Sequence, residues 1–152
     1  MGSKSKNKQT VKPTVSSQKT VVKRESSYEN QKVVWMFDCI DRDGKFAFDV
    51  KREDFDAKQV LDKIVNYSSM KWFEIKRQTH DDNKSKHHLL DYETLSTEAK
   101  ERIKKLRLEE QTDAIFSFAF ENMLRVIGIR EDEKFHVIWF DPEHKFCPSH
   151  KK

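Results

Sequence analysis

The sequence predicts an α+β domain in which a small antiparallel sheet packs against two helices. Three short runs between residues 114 and 140 are rich in β-branched and aromatic residues and are separated by brief polar turns, as expected for an antiparallel meander. Residues 33–50 predict a further β-hairpin, and two segments between them and the meander carry apolar residues at helical spacing. Because the apolar face of a sheet must be covered, we expect the two helices to pack on the sheet in an α+β fold.

The composition sets the domain organisation. A chain of 152 residues can form one domain with a core, and its eleven Phe and three Trp supply large apolar groups. Residues 1–32 hold eight Lys or Arg against two Glu, a net charge of +6, whereas the remaining residues hold 22 basic and 24 acidic side chains, a net charge of −2. We therefore predict a disordered basic tail over residues 1–32 and a single α+β domain over residues 33–150.

The tail and the cysteine content suggest where the protein works. The tail reads as a solubilising leader or as a basic arm that adds nonspecific affinity for nucleic acid. The two cysteines of the chain give no disulfide framework. The sequence shows neither a signal peptide nor an apolar run long enough to cross a membrane. We expect a cytoplasmic protein without a membrane partner.

The first half of the domain predicts a hairpin followed by a helix. Residues 33–40 and 45–50 are strand-like and flank the turn residues 41–44, which include Gly44. Residues 54–66 then predict a helix, because four apolar side chains form one stripe and an aspartate can cap its start. Trp72, Phe73 and Ile75 follow as core anchors on a helical turn or a short strand.

A second helix is predicted over residues 96–106, with Ser96 as its N-cap. One side carries a modest apolar stripe, and the other side is strongly basic. Such a face is either simply solvated or lies along a phosphate backbone. We predict that nucleic acid binds to basic residues of this face and to one lysine of the preceding loop. They are Lys100, Lys104, Lys105 and Arg107 of the face and Lys84 of the loop.

Residues 79–88 form the most polar stretch of the domain and predict a surface loop between the helices. The loop is either a solvated connection or a functional cluster, since histidine can move protons near neutral pH and cations can bind phosphate. The side chains in question are His80, Lys84, Lys86, His87 and His88.

Motifs for metals and cofactors are weak or missing from the sequence. His144, Cys147 and His150 are ligand types for zinc, but no second pair of ligands stands out. Three glycines cannot build a glycine-rich phosphate cradle, and no nucleophile elbow is present. We expect no metal, no nucleotide and no other cofactor, which leaves binding or metal-free acid–base chemistry on a phosphodiester.

The meander supplies candidates for that chemistry. Arg125 and Arg130 lie on its central strand and differ by five positions, so a regular strand would point them to opposite faces. His136 follows on the next strand, and His144 lies just past its end. Arginine could stabilise charge on a phosphate, and the histidines could act as acid or base.

The order of elements, with the arginine-bearing strand 124–130 and the strand 135–140, resembles the RelE/ParE-type toxin superfamily, in which two helices pack against a small sheet. The C-terminal segment 139–144 also resembles small uncharacterised bacterial and phage proteins. The first resemblance implies a RelE-like fold with RNA cleavage on the ribosome or gyrase poisoning, held inactive by an antitoxin. Arg125 matches the arginine that RelE-type enzymes carry on this strand.

We therefore expect a RelE-like, metal-free endoribonuclease whose partners are RNA or the ribosome and an antitoxin-like protein. The alternative is a noncatalytic phage or bacterial module that binds or regulates a protein partner or a nucleic acid. On the first hypothesis, the phosphate contacts and the acid and base roles fall to Arg125, Arg130, His80, Lys86, His87 and His144.

Overall fold

The computed structural model describes residues 28–148, so the predicted disorder of residues 1–27 lies outside it. Residues 28–32, which the sequence assigned to the tail, contact the domain. Glu29 pairs with Lys76 and Arg130, and the backbone of Gln31 accepts a hydrogen bond of 3.0 Å from Trp72. None of the helices described is long and apolar enough to span a membrane.

A mixed sheet of five strands forms the centre of the α+β fold, in the order β1-β5-β4-β3-β2. The predicted meander is confirmed, since β3, β4 and β5 are antiparallel neighbours. However, β1 runs parallel to β5, so the prediction of a purely antiparallel sheet is wrong. The strands are β1 (Val34–Met36), β2 (His88–Leu89), β3 (Ile115–Ala119), β4 (Arg125–Glu131) and β5 (Lys134–Asp141).

The predicted N-terminal hairpin does not form. Its first half gives β1, while its second half passes along the edge of β5, where Ala47 bridges Trp139. The two phenylalanines of this segment explain the difference, because Phe46 and Phe48 are buried in cores on opposite faces of the sheet. An isolated hairpin could bury neither ring as fully as the edge of β5 does.

Helices cover both faces of the sheet. The predicted first helix is α1 (Ala57–Ser68), capped by Asp56, and the second is α3 (Thr97–Lys105), capped by Ser96. Between them Trp72–Lys76 forms a short helix, α2. Of the two predicted forms of this segment, a helical turn or a short strand, the helical one is therefore correct. Two 3-10 turns, Tyr92–Thr94 and Glu109–Ala114, flank α3.

Strand alternation divides the buried side chains into two cores. Phe116, Phe118 and Phe120 share one face of the sheet, and Ile115 lies on the other. The first core joins the phenylalanines to α1 and α2 through residues such as Tyr67 and Trp72. The second core joins the opposite face to α3, so one helix layer lies on each side.

A bulge in β5 shapes the second core. The register shifts beside Gly128, so that Val137 and Trp139 pair with neighbouring residues of β4 and Ile138 is the extra residue. Consequently Ile138 and Trp139 both enter the second core although they are adjacent in sequence. A Cβ on Gly128 would lie 1.9 Å from the backbone oxygen of His136, so this close approach requires glycine.

A buried ion pair attaches α3 to the edge of β5. Arg102 donates from Nε and Nη2 to the two carboxylate oxygens of Asp41, each at 2.9 Å. The indole Nε1 of Trp139 donates to Asp41 Oδ2 at 3.0 Å. Asp41 is only 3% exposed, so this carboxylate depends on both partners.

Candidate functional site

A candidate site lies at the end of the sheet where β3 ends and β4 begins. Arg125 pairs with Ala119 of β3 and with Asp141 of β5. His88 in β2 pairs with Ser117, which lies on the same face of β3 as Ala119. Because residues opposite each other in antiparallel strands point to the same face, Arg125, Asp141 and His88 share one side of the sheet.

Arg125 is half-buried and held by backbone oxygens. Its Nη1 donates to the carbonyl groups of Asn122 at 3.0 Å and of Leu124 at 2.9 Å. Burial lowers the pKa of Arg125, and the charge of Asp141 partly opposes that shift. Among residues 28–148, no carboxylate forms a direct ion pair with Arg125. Since arginine stays protonated in proteins, this guanidinium is a fixed positive charge.

His88 lies near this guanidinium, and the charges of two further histidines act on His88. Burial of its ring, followed by the positive charges of Arg125, His144 and His80, lowers the pKa of His88, although a hydrogen bond to the backbone of Ser85 opposes the shift. The residue nevertheless keeps an exposed surface. We define the cationic cluster as Arg125, His80, His88 and His144. Within it, His88 is neutral near pH 7 and is able to accept a proton.

Asp141 holds the turn that carries His144. Its carboxylate oxygens each accept a backbone N–H at 2.9 Å, one from Lys145 and one from Phe146. His144 lies in this turn with a positive φ of 59°. Burial raises the pKa of Asp141, while the two backbone hydrogen bonds and the nearby positive charges oppose that shift. Asp141 is therefore a positioning residue for His144.

The placement of His87 in a solvated loop is wrong. Its side chain is 1% exposed, and its ring packs against Tyr67 and Phe118 in the first core. Nδ1 accepts a hydrogen bond from the N–H of Ala119 at 3.0 Å, which leaves the proton on Nε2 to be donated to Gln78 Oε1 at 2.7 Å. Burial and the surrounding positive charges lower the pKa of His87 to about 3. His87 is thus a neutral core residue, and its neighbour His88 faces the site.

Arg130 lies at the other end of β4 and on the opposite face, as its spacing from Arg125 predicts. Its guanidinium lies 3.9 Å from the ring centroid of Trp72 and donates to Glu29 at 2.6 Å. Burial alone would raise the pKa of Glu29, but hydrogen bonds from Arg130 and Lys76 outweigh it and lower that pKa. Arg130 and His88 both line an open cleft of about 780 Å³. Arg130 therefore lies apart from the cationic cluster, and its charge is already paired with Glu29.

The predicted nucleic-acid-binding residues lie in the loop before β2 and along or just after α3. Lys84 is exposed in the loop, and Lys100 lies over the ring of Tyr92. Lys86, which the sequence predicts as a catalytic residue, is half-buried and close enough to His87 to lower its pKa. Of the other three predicted nucleic-acid-binding residues, two lie in the last turn of α3 and one just after it. From there the chain leads to the start of β3, whereas the cationic cluster lies at the end of β3. These three residues are Lys104, Lys105 and Arg107.

The zinc ligands considered at the C-terminus do not come together in the described part of the chain. Cys147 Sγ lies 3.2 Å from the hydroxyl of Thr94, and neither Cys147 nor His144 belongs to a group of three close ligands within residues 28–148. His150 lies outside that range.

Comparisons of the chain with protein family models, with curated protein sequences and with solved structures find no match. The resemblance to RelE/ParE-type toxins therefore stays a prediction, and the function has to be argued from the geometry of the site.

Replacing Arg125 with glutamine is expected to raise the pKa of His88 towards its ordinary value, because a nearby positive charge that disfavours the imidazolium is removed. The measurement is an NMR titration of the histidine ring resonances. Arg42→Gln is the control, since Arg42 is exposed and makes no hydrogen bond within residues 28–148. An unchanged His88 pKa in the Arg125 variant would show that the two groups are not coupled.

Proposed function

We propose that the protein is a metal-free endoribonuclease that acts through the cationic cluster. The observation that carries this proposal is that strand pairing places Arg125 and His88 on one side of the sheet, beside Asp141, which holds the turn that carries His144. The groups of the cationic cluster come from four separated segments of the chain: the loop before β2, β2 itself, the start of β4 and the turn after β5. They include Arg125, His80 and His144 from the sequence prediction, with His88 in place of His87.

The chemistry requires a base, an acid and a stabilising cation. Neutral His88 takes the proton of the 2′-hydroxyl, whose oxygen then attacks the adjacent phosphorus. The bond from phosphorus to the 5′-oxygen breaks, and the acid, His144 or His80, donates the proton that this oxygen needs. The products are a 2′,3′-cyclic phosphate and a 5′-hydroxyl, so atoms and protons balance.

Arg125 stabilises the negative charge that develops on the phosphate oxygens. Within residues 28–148, its two hydrogen bonds both use Nη1, which leaves Nε and Nη2 to contact a phosphate. A guanidinium held by backbone oxygens is fixed before the substrate arrives, and such preorganisation is what makes electrostatic stabilisation effective.

Ribosome-bound mRNA is the substrate that the RelE resemblance favours. The chain shows the expected order of a strand, helices and an antiparallel meander, with Arg125 on the middle strand of that meander. On this proposal, an antitoxin-like protein would inhibit the enzyme by covering the cationic cluster.

The test is mRNA cleavage in a cell-free translation system with ribosomes present or absent. We expect defined cuts by the wild-type protein, and Arg125→Ala is expected to slow them on the order of 10²–10³-fold, as loss of a preorganised donor does elsewhere. Arg42→Ala should cleave like the wild type. Intact mRNA with the folded wild-type protein, or full activity of Arg125→Ala, would contradict the proposal.

A noncatalytic binding module is the second candidate, and the surface of α1 favours it. Leu61 and Val65 are one helical turn apart and remain 59% and 62% exposed. Adjacent exposed apolar side chains are a feature of protein-binding surfaces. A stable complex that persists at high salt, with no turnover of RNA, would favour this function over the endoribonuclease.

A further inference from the structure

We propose that Asp38, Cys39 and His136 form a binding site for a zinc-class metal ion at the edge of the sheet. Each residue offers one ligand atom, and these atoms lie within 4.8 Å of one another. The site is independent of the cationic cluster, because it involves the other end of β5.

The surroundings of His136 match those of a metal ligand. Nδ1 lies 3.0 Å from Asp38 Oδ1, and Nε2 lies 3.0 Å from Glu131 Oε1. A ligating histidine usually donates its other N–H to a carboxylate, which fixes its tautomer and its orientation. Burial would lower the pKa of His136, but the hydrogen bonds with Asp38 and Glu131 outweigh it and raise that pKa. A metal ion between Nδ1 and Asp38 would therefore displace the Nδ1 proton, while Nε2–H stays donated to Glu131.

The ligand types select the metal. A thiolate, an imidazole and a carboxylate suit Zn²⁺, whereas Ca²⁺ and Mg²⁺ prefer oxygen alone. Cys39 is exposed, and an adjoining cleft of about 380 Å³ is lined by Cys39, Glu131 and His136. Three protein ligands next to an open cleft leave a fourth position for water or another small ligand. Binding would release the thiol proton of Cys39.

The ligands lie on or next to two neighbouring strands, so a bound ion would connect these strands. Asp38 and Cys39 come two and three residues after the end of β1, and His136 lies in β5 opposite Met36 of β1. Because β1 is only three residues long, a metal ion would cross-link this short edge strand to its neighbour. An ion that binds only the folded protein also raises its stability by mass action.

The experiment is a titration of the full chain, freed of metal by a chelator and kept under anaerobic conditions, with Co²⁺. We expect one equivalent to bind with the near-ultraviolet absorption of a cobalt–thiolate bond and to raise the melting temperature. Zn²⁺ should then displace Co²⁺, since it binds such ligands more tightly. Glu131→Gln should weaken the affinity about 10–100-fold, as changes to outer carboxylates do.

Cys39→Ser and Cys147→Ser form a matched pair for this titration. The first should abolish the thiolate absorption, and the second should retain it, because Cys147 contacts Thr94 instead. Binding by the histidines of the cationic cluster would give no thiolate absorption. Absence of that absorption in the wild type, or its persistence in Cys39→Ser, would overturn the proposal. RNA cleavage is not measured, so either result is separate from the proposed nuclease function.

Discussion

Asp41→Ala is expected to destabilise the protein by about 1–3 kcal/mol, the cost of leaving a buried hydrogen-bond donor without its acceptor. The substitution leaves Arg102 without its carboxylate and the indole N–H of Trp139 without an acceptor. Since small domains are stable by only about 5–15 kcal/mol, a loss of this size should be visible in a urea unfolding curve. Asp81→Ala, at an exposed position in the loop, is the matched control.

The interaction between the two charges can be separated from their packing by a double-mutant cycle. Arg102→Ala leaves Asp41 buried without a counter-ion, so it should also be strongly destabilising. The double variant should lose less than the sum of the single losses, because neither charge is then left without a partner. Additive losses would show that the pair contributes no interaction energy.

His88→Ala is expected to slow RNA cleavage on the order of 10²–10⁴-fold, the usual contribution of a positioned general base. In the wild type the base must be unprotonated, so activity should fall as the pH decreases through the His88 pKa. That pKa lies below the ordinary histidine value. In the variant this acid limb should be lost, and added imidazole should restore part of the rate.

Leu89→Ala is the control for this prediction, since Leu89 is the exposed neighbour of His88 in β2. Its rate and pH profile should match those of the wild type. If His88→Ala kept the rate and the acid limb of the wild type, another residue would have to be the base.

The elements that the sequence predicts correctly are those specified by local patterns. The meander follows from alternating apolar residues and short turns, and both main helices begin at capping side chains, Asp56 and Ser96. The partner of β1 has no such local pattern. A turn with Gly44 between two strand-like runs favours a hairpin, and only burial of Phe46 and Phe48 against β5 reverses that preference.

The candidate site is predictable in part for the same reason. Arg125 and His144 can be found from their places in or beside strands, but the choice between His87 and His88 depends on register. Adjacent residues of a strand face opposite sides, and β2 is two residues long, too short to show a period. The pairing of His88 with Ser117 decides which imidazole faces the site, and that contact is not encoded within the loop.

The parallel pairing of β1 with β5 also affects the order in which the protein can fold during synthesis. Val34 pairs with Lys134, so the first strand of the sheet must wait for the last one before its backbone groups are satisfied. Contacts between such distant residues form slowly and leave a strand edge open until late. Arg125 and Asp141 are much closer in sequence, but Asp141 is the last residue of β5 and is made after the other strands. A nascent chain therefore cannot assemble the cationic cluster until β5 has left the ribosome that is making it.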